Sequence, residues 1–594
     1  MSRTPAPRSA RSATRTAAGR LMASVLAVGA LVAAALAVPG AAQADGPTTT
    51  TRYAVNRPVC AAPKHADEYR CLALRRVTVR KGTQDAYRYS PSANGGGPGG
   101  GITPAQLAAA YGYNANAHRT NQLVAIIDWY DDPAVLSDLN HFDAHYHLRR
   151  ETRTSFRKVN QRGRTSPLPR RNRDSSGEIA LDVEAVRGVC HTCRILLVEA
   201  DGARDSQVAA AVNTAARMHA TEISNSYGGP ERRVGSATLN AYRHPGVVIT
   251  ASSGDDGWYD FDYANEGVRA SGRPLYPASS PNVVAVGGTT LTLARNRRAS
   301  ETVWNGNGSA DRSGAVGGRR GASGGGCSVL YAAPAWQRAY RGYSATGCRG
   351  KRLATDIAAV ADPRTGYSVY DTYGSGGWVV DGGTSLAAPV VAAMYALAGG
   401  SGGSAFPAAS LYVNGTHRAS SLYDVTGGGN GFCGGASTAS CEQQTASYTR
   451  NATNNPNALG AGRVDCSFTS GAAHLTSAPG LSHQCNAARG FDGPTGLGSP
   501  AHGSAFTHTN PSVSMTHAKA RHKHSTRFTA HSRALIAGSR AAYFVWHWGD
   551  GHTTVTRSAR AHHRYARTGK RTVTLTVGDT LHQVVIKTYR VTVR

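Results

Sequence analysis

Between Ile102 and about Pro500 the chain alternates two kinds of segment. Continuous apolar runs, "QLVAIIDW", "RILLVEA", "GVVITAS" and "NVVAVGG", are separated by Ala-rich stretches such as "SQVAAAVNTAARMHA", whose apolar positions recur at helical spacing. Unbroken hydrophobicity predicts strands covered on both faces, and alternation with helices predicts an α/β domain built on a parallel sheet. After Pro500 the text changes. Residues 501–540 are rich in His, Thr, Ser and basic residues, as a linker or the start of a C-terminal domain beginning near 511 would be. From Ala541 to Arg594, "AAYFVWHWGDG", "HHRYARTGKRTVTLTV" and "QVVIKTYRVTV" alternate Val, Thr and Leu between Gly turns, which predicts a small all-β sandwich.

The first 44 residues have the layout of an export signal. Arg-rich "MSRTPAPRSARSATRTAAGR" precedes apolar "LMASVLAVGALVAAALAV" and the small-residue stretch "PGAAQADG", which predicts cleavage before Asp45 and a secreted, extracellular protein. Leu21 to Val38 is near the minimum of about 18 residues for a membrane span, but the Pro and small residues that follow favour cleavage over an anchor. Residues 45–101 then form a short prosegment ending in the glycine-rich linker "NGGGPGGG" at 94–101.

A chain of 594 residues is too long for one core and suggests two or three folded units. Ten cysteines, an even number, suit an oxidising compartment; they cluster as 60/71, 190/193, 327/348, 433/441 and 466/485, so short-range disulfides are expected. "CHTC" at 190–193 has no second pair at zinc spacing and reads as a tight disulfide. The net charge of +29 favours anionic partners such as wall polymers or other acidic surfaces. With no recognised module or aromatic stacking residues among the basic ones, specific nucleic-acid binding is not expected.

Candidate chemistry starts at "DGGTSLAAP", where Ser385 precedes the apolar helical stretch "VVAAMYALAG". A serine there is either an ordinary helix cap or a nucleophile, and a nucleophile needs a base. "SGEIALDVEAV" spaces Glu178 and Asp182 four residues apart on one helix face, with flanks apolar enough to bury them. Like charges so close share protons, so one can accept a proton while the other orients it; a solvated acidic face is the alternative. In "TASSGDDG", Asp255 follows a buried run and, if protonated, could donate to a developing oxyanion. A turn aspartate capping its own backbone is the alternative, and Asp256 is expected to be a plain turn residue.

These residues resemble the sedolisin family, the serine-carboxyl peptidases, over about residues 102–500. The resemblance runs through "GITPAQLAAAYGY", "VAIIDWYDDP", "GEIALDVEAV", "SNSYGG", "TASSGDDG", "YPASSPNVVAVGGT", "GGGCSVLYAAPAWQ", "DIAAVADPRTG" and "GGTSLAAP". It implies a subtilisin-like doubly wound parallel sheet with helices on both faces, and a secreted endopeptidase active in acid. In those roles Ser385 is nucleophile, Glu178 base and acid, Asp182 its partner and Asp255 the oxyanion donor. Asp128 in "VAIIDWY" is similar to the subtilisin aspartate, but the His-Gly-Thr-type motif of ordinary subtilases is absent. The family's calcium site implies ligands from "LYDVTGG" and "ARGFDGPTGLGSP": carboxylates of Asp424 and Asp492, and backbone oxygens of Val425, Ala488 and Gly490. The C-terminal text resembles a PKD domain, with Trp546, Asp550 and Tyr565 as core and turn residues. Its basic, His-rich surface would become more positive below about pH 6.5 and so suit anionic polymers.

The prosegment is much shorter than the folded propeptide usual in the family, and it would stay attached through Cys60 and Cys71. The expected protein is a monomer acting on protein or peptide substrates. Two alternatives stand beside it: a non-catalytic surface-binding protein with a peptidase-like fold, and an ordinary subtilase.

Overall fold

A computed structural model describes residues 52–80, 88–89, 95–258, 260, 273–306, 321–431 and 482–594. The apolar runs become a sheet with seven parallel strands in the order 156–160, 194–200, 123–129, 222–225, 248–252, 284–294 and 357–360. Strand Arg297–Val303 folds back antiparallel on Val284–Ala294. Leu123–Trp129 is buried at every position, as unbroken hydrophobicity requires of a strand covered on both faces. The chain leaves this strand to one side, for 156–160 and 194–200, and then crosses to its other side at 222–225. The strand's C-terminal end, with Asp128, therefore lies at the topological switch point, where open α/β sheets form their clefts.

Two helices cover this region. Arg173–Val189 starts under an Asn172 cap, whose side chain accepts the Ser175 N–H at 2.9 Å, and every residue from Ser175 to Val189 is buried. Thr384–Leu397 is apolar all round and buried throughout, as a helix enclosed by protein must be. Pro389 lies inside it. The missing proline N–H leaves the Ser385 carbonyl unbonded along the helix, and the Ser226 hydroxyl donates to it at 3.2 Å.

The C-terminal residues form a sandwich of a three-stranded sheet (512–517, 525–533, 560–564) and a four-stranded sheet (553–556, 541–547, 569–579, 584–593). The span 501–540 is thus not a linker throughout: Ser512–His517 and Ser525–Arg533 are its first strands. Their His and Arg residues and Thr516 face solvent, which hid the alternation carried by buried Val513, Phe528 and Ala530. Trp546 and Trp548 stack at 5.4 Å in the core beside Tyr565, and all three are fully buried. Asp550 caps a turn, accepting from the His552 N–H at 3.3 Å.

Three expected disulfides are present, Cys60–Cys71, Cys190–Cys193 and Cys327–Cys348. The pairs 433/441 and 466/485, like the signal segment 1–44, fall on positions that lie wholly or partly outside the described residues. Among the described residues no helix is long and apolar enough to cross a membrane. The prosegment departs from expectation in how it is held. Cys60 and Cys71 bond to each other within it, so the disulfide does not fasten it to the body. Although it lacks periodicity, it is ordered: strands Arg52–Pro58 and Leu74–Arg80 pair antiparallel, and Arg70–Cys71 pairs with Tyr227–Pro230.

Candidate active site

The predicted catalytic residues converge, though they come from distant stretches of chain. Glu178 and Asp182 project from one helix, Ser385 opens another, and Asp255 follows strand Val248–Ser252. All four are buried, Ser385 completely. Carboxylate oxygens of Asp128, Glu178 and Asp182 lie within 4.8 Å of one another, so the acidic pair is in fact a trio. Asp128 was legible only as a subtilase look-alike; its position at the end of the central strand is what brings it here.

Burial dominates the electrostatics. It pushes Asp128 up to about 7. It raises Glu178 well above the usual range, with the Asp182 and Asp128 charges adding and the Ser385 hydroxyl opposing. Asp182 is raised by burial and then by Asp128. Such a cluster holds protons in common and ionises stepwise.

Asp255 is pushed up to about 7, again by burial first, with the Thr384 hydrogen bonds opposing. One oxygen, Oδ1, accepts the Thr384 N–H at 2.8 Å and the Thr384 hydroxyl at 2.7 Å. The other, Oδ2, has no hydrogen-bond partner. It points beside Gly383, whose φ of +90° favours glycine; a Cβ built there would lie 2.6 Å from Oδ2. Asp256 is no plain turn residue, since it ion-pairs with Arg70 of the prosegment.

Sequence reading missed the residues that hold Ser385. The Ser385 hydroxyl donates to the Ser226 carbonyl at 3.1 Å while the Ser226 hydroxyl returns a bond to the Ser385 carbonyl. Thr384 locks Asp255, and Ser252 donates to the Thr384 carbonyl at 2.8 Å. The proline of GTSxxxP was the available signal, because it implies an unbonded carbonyl at Ser385.

Four of the five expected cation ligands lie in two hydrogen-bonded pairs. Gly490 N–H donates to both Asp424 oxygens at 3.0 Å, and Asp492 Oδ2 accepts from Ala488 N–H at 2.9 Å. Asp492 is fully buried and pushed up to about 8 by burial, with the Asp424 charge adding. Val425 is buried beside them in sequence.

The Subtilase family model matches residues 171–404 and the PKD domain model residues 510–588. Sedolisin of Pseudomonas sp. (strain 101) is 37% identical over 192 residues, covering 32% of this chain and 30% of sedolisin. The solved structure of Pseudomonas sedolisin, a serine-carboxyl proteinase complexed with two molecules of pseudo-iodotyrostatin, superposes with a TM-score of 0.51 at 26% identity. It covers 68% of this chain and 97% of that one. The chain is thus similar to sedolisins over its α/β body, and its C-terminal residues match a PKD domain. Xanthomonalisin of Xanthomonas sp. (strain T-22) is 29% identical over 369 residues, covering 55% of this chain and 42% of its own. The chain thus spans less than half the length of those two curated relatives.

Proposed function

We propose that the chain is a secreted serine-carboxyl endopeptidase that works in acid. The observation that carries this reading is Ser385 at a helix start, beside a buried trio of carboxyls and opposite Asp255 with one unpartnered oxygen. Ser385 Oγ attacks the peptide carbonyl while Glu178 takes its proton, with Asp182 and Asp128 sharing the charge. The Ser385 N–H and a protonated Asp255 donate to the oxyanion. Glu178 then protonates the leaving amine, and water, giving up a proton to Glu178, hydrolyses the acyl-enzyme.

The base must be ionised while Asp255 is protonated, so the rate depends on pH as a bell and falls as pH rises through about 7. A pH series of casein hydrolysis by wild type, Ser385→Ala and Glu178→Ala tests the reading. Loss of activity in both variants is expected; equal activity in all three proteins ends it and leaves a non-catalytic binding role.

Calcium fits the loop of Asp424, Val425, Ala488, Gly490 and Asp492. The donors there are all hard oxygens, and a buried Asp492 pushed up by burial and by Asp424 is a place where a divalent cation lowers the cost of charge. When bound, calcium would tie the 422–428 segment to the loop at 488–492. The PKD domain, basic and His-rich, would hold the enzyme on anionic polymers; binding unaffected by salt would contradict this.

A further inference from the structure

The prosegment lies in the cleft in the posture of a substrate. Its backbone runs antiparallel to Tyr227–Pro230, with Arg70 opposite Gly228 and Cys71 opposite Tyr227. Leu72 N–H donates at 3.2 Å to the Ser226 carbonyl, the same oxygen that accepts the Ser385 hydroxyl. The Leu72 carbonyl oxygen accepts the Ser385 N–H at 3.0 Å. A Cβ built on Gly383 would lie 2.1 Å from that oxygen and 2.6 Å from the unpartnered Asp255 oxygen, so both face the same small space. The Cys60–Cys71 disulfide abuts Glu178, one sulfur of each cysteine lying within 4.8 Å of its carboxylate.

Both sides of this carbonyl are anchored. Upstream, Tyr69 N–H donates to Ala203 O at 3.0 Å, and Arg70 pairs with Asp256 and, at 2.9 Å, with Asp260. Downstream, Leu74 and Arg75 lie opposite Gly382 and Asp381, and the Arg75 guanidinium binds the Asp381 carboxylate at 2.6 and 2.8 Å. A strand serving only to cover the body gains nothing by aiming one carbonyl at the nucleophile's own N–H.

We propose that the Leu72–Ala73 peptide bond is this peptidase's first substrate, cleaved by Ser385 of the same chain to create a new N-terminus at Ala73. This rests on the peptidase reading above and adds the bond and the side chain the site accepts before it, a buried leucine that is 2% exposed. Ser385 Oγ bonds to the Leu72 carbonyl carbon as its proton passes to Glu178. The C–N bond to Ala73 breaks, and Glu178 returns the proton to the departing Ala73 nitrogen. Water then adds to the ester carbon, giving one proton to Glu178 and thence to Ser385 Oγ, and the Leu72 carboxyl is released. Seven residue pairs between 52–58 and 74–80 keep the upstream fragment on the body after the cut. It inhibits there until it dissociates.

The test uses the full chain, purified at neutral pH and shifted to about pH 4, with denaturing mass spectrometry and N-terminal sequencing over time. A free peptide of the Tyr69–Arg75 sequence with Cys71→Ser is assayed in parallel. The expected result is an Ala73 N-terminus in wild type, forming at a rate independent of protein concentration and at least tenfold slower in Leu72→Lys. Ser385→Ala stays uncut, and wild type cleaves the peptide between Leu and Ala. If wild type hydrolyses peptides but its own chain stays intact or opens elsewhere, this proposal falls while the peptidase reading stands. Cutting of pure Ser385→Ala at Leu72 also overturns it. If wild type cleaves neither itself nor any peptide, both fall.

Discussion

In the α/β body several acids are buried without a cation bonded to them, whereas in the PKD domain the acid of the turn is held by histidine. Burial pushes Asp128, Asp143 and Asp255 up to about 7 and Glu222 up to about 8. In the sandwich, burial alone would raise Asp550, but hydrogen bonds from His563 at 2.7 Å and from His552 bring it below its usual value. The signs are opposite. A raised carboxyl stabilises the fold below its unfolded value, and that stability is lost as pH rises through its folded value. A depressed one stabilises above its unfolded value, and that stability is lost as pH falls through its folded one. These groups therefore favour the body at low pH and the sandwich at higher pH.

The largest expected effect concerns Ser385 and Glu178. Ser385→Ala and Glu178→Gln should each lower kcat/KM for peptide hydrolysis by more than about 10³-fold, with the far-ultraviolet circular dichroism of the folded chain retained. Replacement of the proposed oxyanion donor should cost less: Asp255→Ala is expected to lose about 10²- to 10³-fold in kcat, read from steady-state kinetics.

Stability sharpens the same contrast. Asp255 moves from 3.8 to about 7, so it should cost the body on the order of 4 kcal/mol between those pH values. Urea melts of Ser385→Ala across pH 4 to 8 check this. A body that becomes more stable toward neutrality breaks the comparison. Smallest is His563→Ala, which removes a ring stacked on Trp548 at 4.7 Å and the bond to Asp550. It should cost the sandwich about 1–2 kcal/mol while leaving peptide hydrolysis unchanged.

Much of this contrast was legible before the structure. Unbroken apolar runs marked the strands, and the flanks of "IALDVEAV" showed that Glu178 and Asp182 would be buried. Asp128 was hidden because its role depends on strand order, which no local pattern contains. Ser226 and Thr384 act through backbone atoms and single hydroxyls, which leave no periodic trace. The cleft segment was illegible for a related reason: Arg70–Cys71 is a two-residue strand whose partners lie about 150 residues away.

The most direct measurement is the pH dependence of kcat/KM for peptide hydrolysis by wild type and Asp255→Asn. The acid-carboxyl account predicts an acid maximum in wild type, with an alkaline limb falling through about 7. Asp255→Asn, an amide that donates without titrating, should lose that limb at reduced rate. A wild-type maximum at alkaline pH, or an alkaline limb unchanged in Asp255→Asn, would contradict it.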